Sequence, residues 1–249
     1  MLQQGVVRRA RSPRNSPIVL AKKEGGRARR LCNDFRAINE VTTGDQFPLP
    51  NVDDCLATLA GSQYFTTLDC QSGYWQVPMD EDSKAITAFQ AGNYFFEYEV
   101  MPFGLKNAPS AFQRMITQVL AGHLWVDCFV YIDDIVIGGA TLERHLEVLR
   151  QVLERLRAAN LLLKPKKCHF LKSKVRVLGF IVSREGVEAD LEKVRAVRDF
   201  PTPLHLKAVR SFLGLCSYYR RFIRGFAQMA APLHALSKKD VPFEWKQEQ

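Results

Sequence analysis

Long apolar runs are missing from this 249-residue chain. Nowhere do 18 consecutive residues lack a charged or strongly polar side chain, which excludes an ordinary membrane-spanning helix. The opening, MLQQGVVRRARSPR, has no apolar core, which speaks against a secretory leader. Internal repeats and low-complexity tracts are absent. The six cysteines (Cys32, Cys55, Cys70, Cys128, Cys168, Cys216) show no close pairing. At this length they read as buried free thiols in a reducing compartment, not as a disulfide framework. Cys168 and His169 are adjacent but have no second pair at ligand spacing, so a zinc site is not expected. What is present is a 47% hydrophobic composition, enough for one large domain or two to three smaller lobes.

The net charge of +9 is unevenly laid down. Residues 1–36 carry a net of +8, residues 37–143 a net of −11, and residues 144–224 a net of +12. The last segment, 225–249, is balanced. Two basic blocks flanking an acidic one suit a polyanion, if the acidic block holds cations. Solvated surface charge is the other reading of the same counts.

Residues 1–17, arginine-rich with Pro13 and Pro17, read as poorly ordered. Strands are expected at 18–22, 30–39, 64–69, 74–79, 85–89 and 93–100 from β-branched and aromatic content. Residues 126–139 read as two strands around a tight turn, and 175–183 as further strand. Helices are expected near 52–59, 111–120, 141–160, 191–200 and 205–224. In the third of these, Leu142, Leu146, Leu149, Leu153 and Leu156 fall on one face. Strands and helices are mixed without strict alternation, so the fold class is α+β, with an antiparallel sheet carrying helices on one face.

The chemistry concentrates at Asp133 and Asp134, inside VYIDDIVI. Two adjacent carboxylates between apolar strands are costly unless a cation neutralises them, and a hard divalent ion does so while leaving positions for water or phosphate. A solvent-exposed turn is the competing reading. Asp69 ends the alternating strand YFTTLD and can join the pair, giving three carboxylates able to hold two divalent ions for nucleotidyl transfer. Taken alone, Asp69 reads as a helix or turn cap.

In order along the chain, LDCQSGYWQVPMDEDS, TAF, MPFGLKNAPSAFQRM and YIDDIVI closely resemble the polymerase core of reverse transcriptases. LERHLEVLRQVLERLRAANLLLKPKKCHF, VLGFIVSREGV and VRSFLGLCSYYRRFI resemble the Pol polyprotein of gypsy-type LTR retrotransposons. The similarity runs over about residues 17–245. It implies a right-hand polymerase: partial fingers at 1–60, an RRM-like (ferredoxin-like) antiparallel palm sheet at 61–185 with a fingers insertion near 75–110, and a thumb at 186–249 leading toward an RNase H domain. The acidic block is then palm, and the basic blocks close on a duplex from both sides.

The resemblance also implies residue roles. Asp69, Asp133 and Asp134, with Cys70, are metal ligands for two Mg2+ ions, which Mn2+ can replace. Main-chain groups around Cys70, Gln71, Ser72 and Gly73 line the metal and triphosphate, and Gly73 permits close backbone approach. Tyr74 takes the steric-gate position and Phe103 stacks beneath the nucleotide. Lys23 and Arg30 grip the triphosphate, although Arg29 stands where the family often has Trp and Asn33 where it often has Val. Ile132 packs near the primer terminus. Leu178, Gly179 and Phe180 form the hairpin that grips the primer, and Arg210, Tyr218, Arg220 and Arg221 face template–primer phosphates or sugars.

The implied activity is RNA-directed DNA polymerisation on an RNA or DNA template, with a primer strand and deoxynucleoside triphosphates. The chain reads as a fragment of a polyprotein that also holds RNase H and integrase domains, and its isolated activity is expected to be weak. By family, copying takes place in cytoplasmic particles and involves no membrane. Two rivals stand beside it: a catalytically silent nucleic-acid-binding remnant, and another two-metal enzyme such as a nuclease.

Overall fold

The computed structural model describes residues 1–22, 29–238 and 242–246. It divides into two units, Met1–Ser173 and Lys174–Gln249. The first holds β1 (Val7–Arg9), β2 (Ile18–Lys22), β3 (Arg29–Asn33), α1 (Arg36–Val41), α2 (Val52–Thr58) and β4 (Tyr64–Asp69). A 3-10 turn at Gly73–Gln76 follows, then α3 (Glu81–Lys84), β5 (Phe89–Ala91), β6 (Tyr94–Tyr98), α4 (Ala108–Val119), β7 (Cys128–Tyr131) and β8 (Asp134–Gly139). The unit closes with α5 (Leu142–Ala158), a 3-10 turn at Pro165–Lys167 and β9 (His169–Lys172).

The sheet that positions the candidate site has the order β7-β8-β4-β9, antiparallel throughout. With α4 between β4 and β7, and α5 between β8 and β9, its chain order is β-α-β-β-α-β. This is the ferredoxin-like arrangement expected from the sequence. The sheet and helices enclose Leu68, Phe112, Ile116, Val130, Ile135, Ile137, Val148 and Val152. Each such aliphatic or aromatic burial stabilises the unit by about 1.5–3 kcal/mol before entropy is counted.

Several local expectations are corrected. Residues 1–17 are ordered: Val6 and Val7 are buried and β1 pairs with β6. Arg8 there meets Glu97 at 2.7 Å, and also Glu81, which ties the basic opening to the acidic block. The strand expected over 30–39 stops at Asn33, whose amide is used by Ser16 and Tyr98, and Asp34 then turns the chain into α1. Residues 74–79 are not a strand. The 3-10 turn consumes Gly73–Gln76, and extended pairing survives only where Pro78 bridges Val100. Residues 85–89 are preceded by α3, capped by Asp80 with an acidic first turn, and begin as 3-10 helix. On α5 the buried face is His145, Val148, Val152 and Leu156, while Leu142 and Leu146 are exposed. The leucine stripe is rotated because His145, bonded to Thr66 Oγ1 at 2.7 Å, takes a core position that apolar periodicity does not reveal.

The second unit holds β10 (Lys174–Val177), β11 (Phe180–Ser183) and β12 (Gly186–Ala189) in one antiparallel sheet. These are followed by α6 (Leu191–Arg198), α7 (Leu206–Tyr218), a 3-10 turn at Arg220–Phe222 and α8 (Phe226–Ala235). Val209, Leu213, Ala230, Leu233 and Leu236 form its helical core.

Candidate active site

β4 and β8 run antiparallel with Asp69 directly opposite Asp134. Asp133 is the second residue of the two-residue turn between Tyr131 and Asp134, which are themselves cross-strand partners. The three carboxylates therefore meet at one end of the sheet. Asp133 is pushed up to about 6 by desolvation, then by the charges of Asp134 and Asp69, against a lowering pull from Lys167. Asp134 is exposed by surface area, yet the surrounding protein and then Asp69 raise its carboxyl too. Asp133 Oδ1 is buried and has no hydrogen-bond partner. Asp69 Oδ2 accepts from Lys167 Nζ at 2.8 Å. Among the described residues, no three or more His, Cys, Asp or Glu side chains are gathered into a ready-made metal cage.

A cavity opens beside this corner. One wall is Asp69, Cys70, Gln71, Ser72 and Asp133, and the other is Lys164, Pro165, Lys166 and Lys167. Trp75 and Phe103 supply aromatic surface. Gly73 lies against Asp133. A Cβ there would overlap Asp133 Oδ1 and sit 3.1 Å from Phe112, so the position needs glycine for space. The preceding Ser72 is left-handed, at φ 52, and starts the 3-10 turn. The Cys70 thiol is pushed up to about 12 by burial and by the nearby Asp133. Tyr74 is half-buried between Phe103, at 5.1 Å between ring centroids, and Phe112, at 5.8 Å. Its hydroxyl pKa is raised by burial and by Asp133. Lys23 lies outside the described residues. Arg30 sits in β3 opposite Ala21, with its side chain outside the described set.

Sequence reasoning missed three polar residues here. Gln113 on α4 is 2% exposed. Its Oε1 accepts from Ile132 N at 2.7 Å and its Nε2 donates to Val130 O at 3.2 Å. It thereby braces Ile132 at φ 53, a conformation that strains a β-branched residue by about 1–3 kcal/mol. Gln76 clamps the other side: Nε2 donates to Gln71 O at 2.9 Å and Leu162 O at 3.0 Å, while Leu162 N donates to Oε1 at 2.6 Å. Lys167 is the third. A lone glutamine in QRM or WQV carries no signal by pattern; a buried polar residue on the apolar face of α4 was the only clue.

The second unit contains another two-residue turn. Leu178 at φ 48 and Gly179 at φ 77 link β10 to β11, the pairing of left-handed residues that suits a tight hairpin. Tyr218 Oη donates to Leu178 O, and Tyr219 Oη donates to Gly179 O at 3.3 Å. Phe180 is 2% exposed and stacks on Tyr218 at 5.2 Å between centroids. It packs within the unit beside the turn. Arg210, Arg220 and Arg221 are exposed, and Arg210 Nη2 reaches Ser237 O at 3.5 Å.

Residues 21–182, well over half of the chain, match the family described as Reverse transcriptase (RNA-dependent DNA polymerase). The chain belongs to the reverse transcriptase family. Its relatives include the retrovirus-related Pol polyprotein from transposon opus of Drosophila melanogaster, 43% identical over 96% of this chain and 24% of the relative. The Pol polyprotein from transposon gypsy of the same organism is 39% identical over 100% of this chain and 26% of the relative. The chain thus spans about a quarter of those polyproteins, and it groups with LTR retrotransposon reverse transcriptases as the resemblance implied. A solved foamy viral protease-reverse transcriptase in complex with double-stranded DNA superposes with a TM-score of 0.89 at 28% identity, over 99% of this chain and 44% of that one. The same viral protein in complex with an RNA/DNA hybrid gives a TM-score of 0.82 at 28% identity, over 99% of this chain and 33% of that one. The reverse transcriptase fold therefore extends over nearly the whole chain, α+β throughout.

Proposed function

We propose that this chain is a polymerase core that copies an RNA or DNA template by adding deoxynucleotides to a primer 3′-hydroxyl. The observation that carries the proposal is Asp69 facing Asp134 across β4 and β8, beside the unpartnered buried oxygen of Asp133. The donor set fits a hard divalent cation: it is all-oxygen, and Asp133 and Asp134 are raised in pKa by desolvation and by neighbouring carboxylate charge. Asp69, Asp133, Asp134 and the main-chain carbonyl of Cys70 are the groups that would hold two such ions. Magnesium, or manganese in its place, would when bound neutralise charge developing at the reacting phosphate.

The chain's own residues do the rest. Gly73 leaves room for Asp133. Gln113 fixes the turn that aims it. Phe103 offers a flat face for a base or sugar, and Tyr74, lodged against it, is the residue to exclude a 2′-hydroxyl. Lys23 and Arg30 bring positive charge to the triphosphate. Leu178 and Gly179 approach the primer backbone, while Arg210, Arg220 and Arg221 meet phosphates. In this reading 1–60 serve as fingers, 61–185 as palm and 186–249 as thumb, within a parent polyprotein that includes RNase H and integrase domains.

One observation favours a silent nucleic-acid binder instead: Lys167 occupies Asp69, and no ready cage exists among the described residues. Primer extension on an RNA template with magnesium separates the two. Incorporation that falls at least about 10³-fold in Asp134→Asn supports the polymerase. Salt-sensitive binding with no extension, equal in Asp134→Asn, supports the binder.

A further inference from the structure

Lys167 reaches the acidic corner by a built route. Lys164 N donates to Asp69 O at 2.8 Å, and Gln71 N to Leu162 O at 2.8 Å. Cys70 bridges Leu163. The Pro165–Lys167 turn is then closed by Lys167 N on Lys164 O at 2.9 Å. The backbone of 162–167 is thus stitched to 69–71, and of the three lysines on that cavity wall it is Lys167 that pairs with a carboxylate. The ammonium sits 2.8 Å from Asp69 Oδ2, while its side chain is 58% exposed. Its backbone is anchored, and its side chain remains open to solvent.

Three carboxylates at one sheet end repel one another when nothing neutralises them. A lysine suits a temporary partner better than an arginine, because a point charge on a flexible stem leaves more easily than a planar fork that grips both oxygens. We infer that Lys167 is a built-in counter-cation: it holds Asp69 in the ion-free chain and gives that carboxylate up when a divalent ion engages it. The inference rests on the reading that these carboxylates hold ions.

The test is Mn2+ titration of the full chain without nucleotide or template, with free Mn2+ read by electron paramagnetic resonance. Removing the competitor in Lys167→Met should tighten binding about threefold to tenfold, and Lys167→Arg should weaken it about twofold or more. In chelator, Lys167→Met should melt below the native chain and recover more on adding Mn2+. Asp134→Asn serves as the control. If native binding depends on Asp134 but Lys167→Met binds no tighter, the counter-cation role is overturned and the ion site stands. If neither the native chain nor Lys167→Met shows Asp134-dependent binding, both are overturned.

Discussion

Among the described residues, two hairpins hold a bulky residue in the left-handed region: Ile132 at φ 53 between β7 and β8, and Leu178 at φ 48 between β10 and β11. Their supports differ. The Ile132–Asp133 turn is held by one buried amide, Gln113, that takes the main-chain N–H of Ile132. The Leu178–Gly179 turn is held by two phenols, Tyr218 and Tyr219, that donate to its carbonyls. The first turn ends in a carboxylate with an unpartnered oxygen and needs an empty place at Gly73. The second ends in a glycine and is backed by Phe180. Strain kept where a charged group is aimed is a mark of function, whereas a two-residue turn with glycine at its second position is closer to ordinary hairpin chemistry.

The sharpest break should come at Gly73. Gly73→Ala pushes a methyl into the Asp133 carboxylate, and single-nucleotide incorporation should fall about 100-fold or more, because a displacement of order 1 Å is costly at a reacting centre. Incorporation within threefold of native would mean the cradle relaxes. Next, Gln113→Met removes both bonds to the strand turn. It should cost about 1–3 kcal/mol in urea unfolding, with a fall in kcat larger than any change in KM. Lost stability with native kcat would demote Gln113 to a scaffold role.

At the other turn the effects on stability should be smaller. Tyr218→Phe with Tyr219→Phe deletes both donors and should cost about 0.5–1.5 kcal/mol per bond. The smallest effect should be Leu178→Gly. Release from the left-handed region is worth about 1–2 kcal/mol, offset by the entropy glycine loses on folding, so a shift in melting temperature near zero or slightly upward is expected. Ile132→Gly should instead lower stability, because Ile132 also packs against the core beneath it.

Much of this was readable beforehand. Asp133 and Asp134 stood out as carboxylates between apolar strands, Asp69 joined them as a strand-terminal candidate, and the ferredoxin-like order was implied by the family resemblance. Among the segments that misled, 74–79 and 85–89 look like strands by composition, and 1–17 looks disordered by its arginines. In each the decisive partner is distant in sequence. Gln76 clamps Leu162, Lys84 meets Glu99 at 2.7 Å, and Arg8 meets Glu97. Local propensity carries no information about such pairs.

The amino-acid order by itself determined the family and the α+β class and singled out three candidate carboxylates, because ordered motifs, apolar periodicity and rare charged residues within apolar strands are all legible along the chain. Only the folded arrangement decided that Gln113 and Gln76 hold the corner, that Phe180 packs beside its turn, and that a lysine from the third charge block neutralises an aspartate of the second. Those facts depend on which side chains meet across gaps of up to 98 residues, and distance along the backbone says nothing about distance in space.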